Sequence, residues 1–105
     1  VMKSYQSFHP GLFRLIGYVA QEFAAAGKPV SVCGELGGNP LAVPVLIGLG
    51  VRRFSMNPSS IAKVKRIITQ LTISQAQELA DKVRRLATAA QVKRFLENEL
   101  QDYLC

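Results

Sequence analysis

The amino-acid sequence predicts an α/β domain in which parallel strands are joined by helices, and two observations lead to this class. Helical and extended patterns alternate over residues 10–71, in the order helix, strand, helix, strand, helix, with short connections. Such alternation is typical of parallel strands linked by right-handed crossovers. A proline follows each of His9, Asn39 and Asn57, at the head of an apolar periodic run. Because proline loses no hydrogen bond at the first helical position, these pairs predict three helix starts.

The first helix is predicted over residues 10–26 and ends at Gly27. Its inward stripe is expected to contain Leu12, Leu15, Ile16, Val19 and Phe23. The run VSVC that follows predicts a short strand. The second helix, over residues 40–49, is apolar nearly all round, so we expect it to be buried on more than one side. Its internal Pro44 falls near the first turn, where proline is tolerated.

Gly50 ends the second helix, and the run VRRFSM predicts a second short strand. A third helix is predicted over residues 58–71, and its inward stripe contains Ile61, Val64, Ile67, Ile68 and Leu71. Parallel sheets are usually covered on both faces, and two short strands alone would leave unpaired edges. The chain is therefore expected to be part of a larger βα array, which is a barrel or a doubly wound sheet.

The pattern downstream of the third helix is purely helical. Two capping boxes predict helices over residues 75–87 and 89–103, and they are formed by Ser74 with Gln77 and by Thr88 with Gln91. We therefore divide the chain into βα units, residues 1–73, and a helical C-terminal tail of the same domain, residues 74–105.

Composition limits the class of protein. With 105 residues, 49% hydrophobic and 19% charged, the chain is expected to be one globular domain. The net charge of +6 permits a basic helical module that binds nucleic acid or an acidic protein, but the charges are dispersed among apolar residues, so we expect no nucleic-acid partner. No apolar run reaches the roughly 18 residues of a membrane span, and no signal peptide is apparent. Only Cys33 and Cys105 carry thiols, which favours a reducing, cytoplasmic location.

Candidate functional residues collect where the predicted strands end. In βα arrays, the carboxyl ends of the strands and the first turns of the following helices share one rim. This rim is predicted to contain the runs HP, CGELGGNP and SMNP. Gly34, Gly37 and Gly38 would let the backbone bend close to a ligand. The spacing fits neither GxxxxGK[ST] nor GxGxxG, and no His/Cys metal motif is present.

Three roles are open for Cys33 at the end of the first strand. It could be a small apolar residue that fills the end of the sheet. It could be a nucleophile with His9 as its base, although no third orienting group is evident. It could be a proton donor, because a thiol with an ordinary pKa is almost fully protonated at neutral pH. Glu35 could be a general base or a metal ligand, or could hold the glycine loop by accepting backbone amides. Ser55 and Met56, at the end of the second strand, are by themselves only weak indications of a functional site.

The run GKPVSVCGELGGNPLAVPVLIGLGVRRFSMNPSSIAKVKRII resembles the C-terminal part of the phosphoenolpyruvate-binding barrel of Enzyme I of the bacterial sugar phosphotransferase system, and of its nitrogen-related paralogue. SFHPGLFRLI and the length of the tail are similar too. The resemblance implies a (β/α)8 TIM barrel. This chain would supply its last two parallel strands with their helices, and the closing helical tail.

The resemblance also implies a function. The complete enzyme would bind phosphoenolpyruvate and Mg²⁺, pass the phosphoryl group to a histidine of an N-terminal domain and then to a phosphocarrier protein, and form a homo-oligomer. The family's barrel cysteine matches Cys33 and is taken to protonate the enolate of pyruvate, and Gly34, Glu35, Ser55 and Met56 would lie on the active-site rim. The Mg²⁺ ligands, the substrate-clamping arginines and the phosphorylated histidine would lie upstream of Val1. The isolated chain is therefore expected to be inactive.

Two positions distinguish this chain within the wider group, which includes pyruvate phosphate dikinase and phosphoenolpyruvate synthase. The dikinases tend to have histidine where this chain has Leu36 and cysteine where it has Met56, so both positions favour Enzyme I. Asn39 stands where the usual pattern has an acidic residue. Asparagine still caps a helix, but the lost charge predicts an altered or weakened enzyme.

Overall fold

The structure is a computed structural model, and it describes residues 8–32 and 34–104. These residues form helices and strands in the order α1 Pro10–Ala25, β1 Ser31–Val32, α2 Gly34–Gly37, α3 Ala42–Gly48, β2 Arg53–Phe54, α4 Pro58–Ile68, α5 Ile73–Arg84 and α6 Ala89–Leu104. The order of the longer elements agrees with the sequence prediction. The four-residue helix α2 is an addition, because the sequence predicts a glycine loop there.

The two strands form a parallel pair, as predicted from the alternation of helices and strands. Ser31 lies opposite Arg53, and Val32 lies opposite Phe54. The amide of Ser55 donates a hydrogen bond of 2.9 Å to the carbonyl oxygen of Val32 and extends the pairing beyond β2. Val32 and Phe54 pack against the hydrophobic core, whereas Ser31 and Arg53 are exposed. The sheet therefore has one apolar face covered by helices and one polar face that the described residues leave open.

Helix α3 lies at the centre of the core, which confirms the prediction that this apolar helix is buried on several sides. Its buried residues are Ala42, Val43, Pro44, Val45 and Leu46. Its most extensive partner is α5. A Cβ atom on Gly48 would lie 2.1 Å from the carbonyl oxygen of Ala76, so the two helix backbones are in direct contact. The predicted tail is thus part of the same core as the βα units.

The predicted inward stripe of α1 is largely wrong. The buried face consists of Pro10, Phe13, Gly17 and Ala20. Leu15 is 58% exposed and Phe23 is 45% exposed, and only Ile16 of the predicted stripe packs on the core. The helix is rotated because small residues let it approach its neighbours closely: a Cβ on Gly17 would lie 3.0 Å from Cδ2 of Leu49. The predicted stripe of α4 is partly confirmed, since Val64 and Ile67 are buried while Ile61 is exposed.

The predicted helix boundaries agree with the structure at α1, where Nδ1 of His9 accepts a hydrogen bond of 2.9 Å from the amide of Gly11. Gly27 lies just after the end of α1 and has a φ of 73°, in the left-handed range that favours glycine. At α4, Asn57 is the N-cap residue but makes no capping hydrogen bond with its side chain. Oδ1 of Asn39 accepts from the amide of Leu41 and stabilises a turn, so α3 begins later than predicted.

The start of α5 corrects the predicted capping box of Ser74 with Gln77. The helix begins two residues earlier, and its N-cap is Thr72. Oγ1 of Thr72 accepts from the amide of Gln75 at 3.1 Å, and Oε1 of Gln75 accepts from the amide of Thr72 at 2.9 Å. The two motifs overlap in the sequence. The amide of Ala76 donates to the carbonyl oxygen of Thr72, so helical hydrogen bonding starts at this residue.

The second predicted capping box is confirmed at α6. The amide of Gln91 donates to Oγ1 of Thr88 at 3.1 Å, and the amide of Thr88 donates to Oε1 of Gln91 at 3.3 Å. Val92, Leu96 and Leu100 are buried on the inner face of this helix, as predicted. Within the described ranges, each helix is too short or too polar to cross a membrane.

Candidate functional site at the strand ends

The candidate site is the rim where β1 and β2 end. Helix α2 begins at Gly34, two residues after the end of β1. Ser55 and Met56 come immediately after β2, and α4 begins at Pro58. The parallel pairing places the ends of both strands at the same edge of the sheet. This arrangement agrees with the rim expected from the sequence.

Two glycines bring α2 against the strand ends. A Cβ atom on Gly37 would lie 2.4 Å from the carbonyl oxygen of Val32 and 3.0 Å from that of Ser55. A Cβ on Gly38 would lie 2.9 Å from Cβ of Met56. The sequence predicts that these glycines let the backbone approach a ligand. In the structure, their close approach is to the protein's own strand ends, and it fixes α2 at the rim.

The structure describes most, but not all, of the site residues predicted from the sequence. Cys33 lies outside the described residues. Gly34 and Glu35 form the first half of the α2 backbone, next to the end of β1. Ser55 is exposed, and Met56 is partly buried. The approach of Gly37 and Gly38 therefore brings the segment that contains Gly34 and Glu35 to the segment that contains Ser55 and Met56.

Ser55 and Met56 both border a mostly apolar cleft of about 500 Å³ between α3, β2 and α4, which Phe54 also lines. Ser55 is two residues after Arg53, and alternation along a strand places both on the open polar face. Ser55 is therefore at the edge between the polar face and this cleft, and the partly buried Met56 borders the cleft.

His9 has a structural role at the start of α1. Its Nδ1 accepts the hydrogen bond from Gly11 that caps the helix. This contact favours the capping interpretation over the interpretation of His9 as a base for Cys33.

The described residues do not form a metal site. Among them, no group of three or more His, Cys, Asp or Glu side chains could hold a metal ion. The resemblance implies Mg²⁺ ligands upstream of Val1, and that expectation stays a prediction.

The sequence reasoning missed Ser31 and Arg53 as members of the open face. The signal was present in the run VRRFSM, where Arg53 and Ser55 alternate with Phe54 and Met56.

Comparison with known proteins identifies the protein family of this chain. The family model described as "PEP-utilising enzyme, PEP-binding domain" matches residues 1–73. The match includes both strands, α2 and the rim. The chain belongs to this family.

Individual relatives have names that are more specific than the description of the family. The chain is 38% identical to the phosphoenolpyruvate-protein phosphotransferase of Staphylococcus carnosus and 39% identical to that of Mycoplasma pneumoniae, in each case over 93 residues that cover 89% of this chain and 16% of the relative. It is 38% identical over 93 residues to a protein of Salmonella typhimurium named phosphoenolpyruvate-dependent phosphotransferase system, of which 12% is covered. The chain therefore spans only a small part of the length of these relatives.

Proposed function

We propose that this chain forms the C-terminal part of the catalytic barrel of a phosphoenolpyruvate-protein phosphotransferase. The complete enzyme transfers the phosphoryl group of phosphoenolpyruvate to a histidine, from which it is relayed to a phosphocarrier protein. The observation that carries the proposal is the identity of 38% to such an enzyme over 93 residues, a length that covers 89% of the chain. We further propose that the complete enzyme is a cytoplasmic homo-oligomer.

The two faces of the sheet fit the end of the family's barrel. In barrels and in doubly wound sheets alike, both faces of a parallel sheet are usually covered. Here the face with Val32 and Phe54 packs on the core, while the face with Ser31, Arg53 and Ser55 is polar. A polar inner face suits the end of a barrel at which a charged ligand binds. The missing strands would pair with the free edges of β1 and β2.

In the proposed reaction, Cys33 is the acid. The bond between phosphorus and the bridging oxygen of phosphoenolpyruvate breaks, and the phosphoryl group moves to a histidine nitrogen upstream of this chain. The electron pair of the broken bond stays on the oxygen, which yields the enolate of pyruvate. The thiol of Cys33 gives its proton to the methylene carbon, which becomes the methyl group of pyruvate, and the thiolate then regains a proton from water. Mg²⁺, held by upstream residues, would neutralise charge on the transferred group.

The rim residues of this chain would position Cys33 and the substrate. Gly37 packs directly on the carbonyl oxygen of Val32, the residue before Cys33, so the position of α2 and the end of β1 are coupled. Gly34, Glu35 and Ser55 lie in the segments that meet there. Positioning of this kind is a major part of catalysis, because small displacements of reacting groups reduce rates strongly.

The test uses the complete polypeptide with phosphoenolpyruvate, Mg²⁺ and a purified phosphocarrier protein. We expect transfer of labelled phosphoryl groups to the carrier, with release of pyruvate. Cys33→Ser should retain the KM for phosphoenolpyruvate and reduce kcat, because the hydroxyl is a much weaker acid than the thiol. Cys105→Ser is the matched control and should have the wild-type kcat. A wild-type polypeptide that transfers no phosphoryl group would refute the proposal, and an unchanged kcat in Cys33→Ser would return this residue to a packing role.

The isolated 105-residue chain is expected to be inactive, since the proposed substrate-clamping arginines and the phosphorylated histidine lie upstream. Pyruvate release can be followed with a coupled assay in the presence of Mg²⁺. Steady production of pyruvate by the isolated chain would contradict this expectation.

A further inference from the structure

Strand β2 carries an arginine on the open face of the sheet. Arg53 lies opposite Ser31 in the parallel register, and both residues are exposed. Their strand neighbours Val32 and Phe54 pack on the opposite side, against the hydrophobic core. Arg53 is therefore the charged residue of a sheet face that otherwise carries the hydroxyl groups of Ser31 and Ser55.

The guanidinium of Arg53 is free within residues 8–32 and 34–104, where it makes no hydrogen bond and no ion pair. Its neighbour Arg52 is different. Nη1 of Arg52 donates to the carbonyl oxygen of Ile47 at 2.7 Å and to that of Val51 at 3.0 Å. Arg52 thus satisfies the carbonyl end of α3, while Arg53 has its full set of donors available.

Arg53 can reach the rim from its position in the strand. It precedes Ser55 by two residues, which corresponds to about 7 Å along a strand. Long side chains in strands lean along the strand direction, and arginine is long enough to bridge such a distance. When further strands close over the open face, the charge must meet an anion or remain solvated, because an unpaired buried charge is costly.

We propose that Arg53 binds an anionic group of the substrate, the phosphate or the carboxylate of phosphoenolpyruvate. This inference rests on the proposed function. Guanidinium groups form paired, charge-assisted hydrogen bonds with both kinds of anion, which makes arginine well suited to this role. Arg53 would be a substrate-binding residue contributed by this chain, separate from the arginines expected upstream of Val1.

The experiment compares Arg53→Gln, Arg53→Lys and the matched control Arg52→Gln in the complete polypeptide. Arg53→Gln should raise the KM for phosphoenolpyruvate by about ten- to a hundredfold, as expected for a lost charge-assisted hydrogen bond. Its urea midpoint should be unchanged, because the guanidinium has no protein partner in the described part of the chain. Arg53→Lys should have an intermediate KM, since it keeps the charge and loses the paired donors. Arg52→Gln should keep the wild-type KM and have a lower urea midpoint.

Two inhibitors distinguish the anionic groups. Weaker competitive inhibition of Arg53→Gln by pyruvate alone would assign the contact to the carboxylate, and weaker inhibition by inorganic phosphate alone would assign it to the phosphate. An active wild type with an unchanged KM in Arg53→Gln would overturn this inference and leave the proposed function intact. A lower urea midpoint with an unchanged KM would also overturn it, because Arg53 would then pair with a protein carboxylate. A wild type without activity towards phosphoenolpyruvate would overturn both.

Discussion

The contact of Gly37 with the strand ends leads to a quantitative prediction. A methyl group at this position would lie 2.4 Å from the carbonyl oxygen of Val32, whereas Cβ contacts below 3.0 Å essentially never occur. In Gly37→Ala, α2 and the strand end must therefore separate by about 0.6 Å. The opposing atom is backbone, so no side-chain rotation can relieve the contact.

The energetic balance favours a loss of stability. Overpacking of this kind typically costs about 1–3 kcal/mol. Alanine is favoured over glycine by up to about 1 kcal/mol inside a helix, and less at the last residue of a four-residue helix such as α2. We expect the free energy of unfolding to fall by about 1–2 kcal/mol. At a urea slope of about 1.5 kcal/mol per M, the midpoint would fall by about 1 M.

Gly17→Ala is the matched control for Gly37→Ala. Its added methyl group would lie 3.0 Å from Cδ2 of Leu49, which is a movable side-chain atom, so the change in unfolding free energy should stay within about 1 kcal/mol. In the complete polypeptide, only Gly37→Ala should lower kcat/KM, by about tenfold, because it displaces the segment next to Cys33. A Gly37→Ala variant with wild-type stability would refute the packing argument. Wild-type kcat/KM in a destabilised variant would refute the link to the site.

Three further predictions concern the isolated chain. Thr72→Ala should lower the free energy of unfolding by about 1 kcal/mol, since it removes the capping box of α5, and the control Ser74→Ala should have almost no effect. Urea unfolding measures both, and a larger loss in Ser74→Ala would contradict the observed helix start. Phe13→Ala should lower the free energy of unfolding by about 3–5 kcal/mol because Phe13 is fully buried, whereas Phe23→Ala, on the exposed side of the same helix, should lower it far less. Equal losses of stability in the two variants would show that both faces of the helix are covered. The unpaired edges of the two-stranded sheet should cause self-association, which light scattering measures; a monodisperse monomer of 11.5 kDa would argue against it.

Some features follow directly from the sequence because local chemistry decides them. The prolines after His9 and Asn57 mark the starts of α1 and α4, and the left-handed glycines at 27 and 50 follow α1 and α3. These signals depend on single residues and their immediate neighbours, so sequence reading recovers them. The order of strands and helices, and the parallel pairing, follow from the same local pattern. The match of residues 1–73 to the family agrees with the motif at the predicted rim.

Other features required the tertiary structure. The stripe of α1 was misassigned because Leu15 and Phe23 are more hydrophobic than Gly17 and Ala20, and a hydrophobic pattern gives no weight to small residues. The structure buries the small residues because they allow close packing. A Cβ atom on Gly17 would lie 3.0 Å from Cδ2 of Leu49, and a Cβ atom on Gly50 would lie 3.7 Å from Cβ of Ala20. Likewise, the sequence offers two overlapping capping boxes with identical spacing, and the choice of Thr72 depends on where the whole helix packs.

The sequence by itself determined the βα order, the starts of α1, α4 and α6, and the family motif. Only the tertiary structure decided that Gly37 and Gly38 pack on the strand ends and that Ser31 and Arg53 lie opposite each other on the exposed face of the sheet. The physical reason is the range of the interactions. Caps and turns are set by atoms within a few residues, whereas the packing of α2 and the two faces of the sheet depend on contacts between segments that are far apart in the chain.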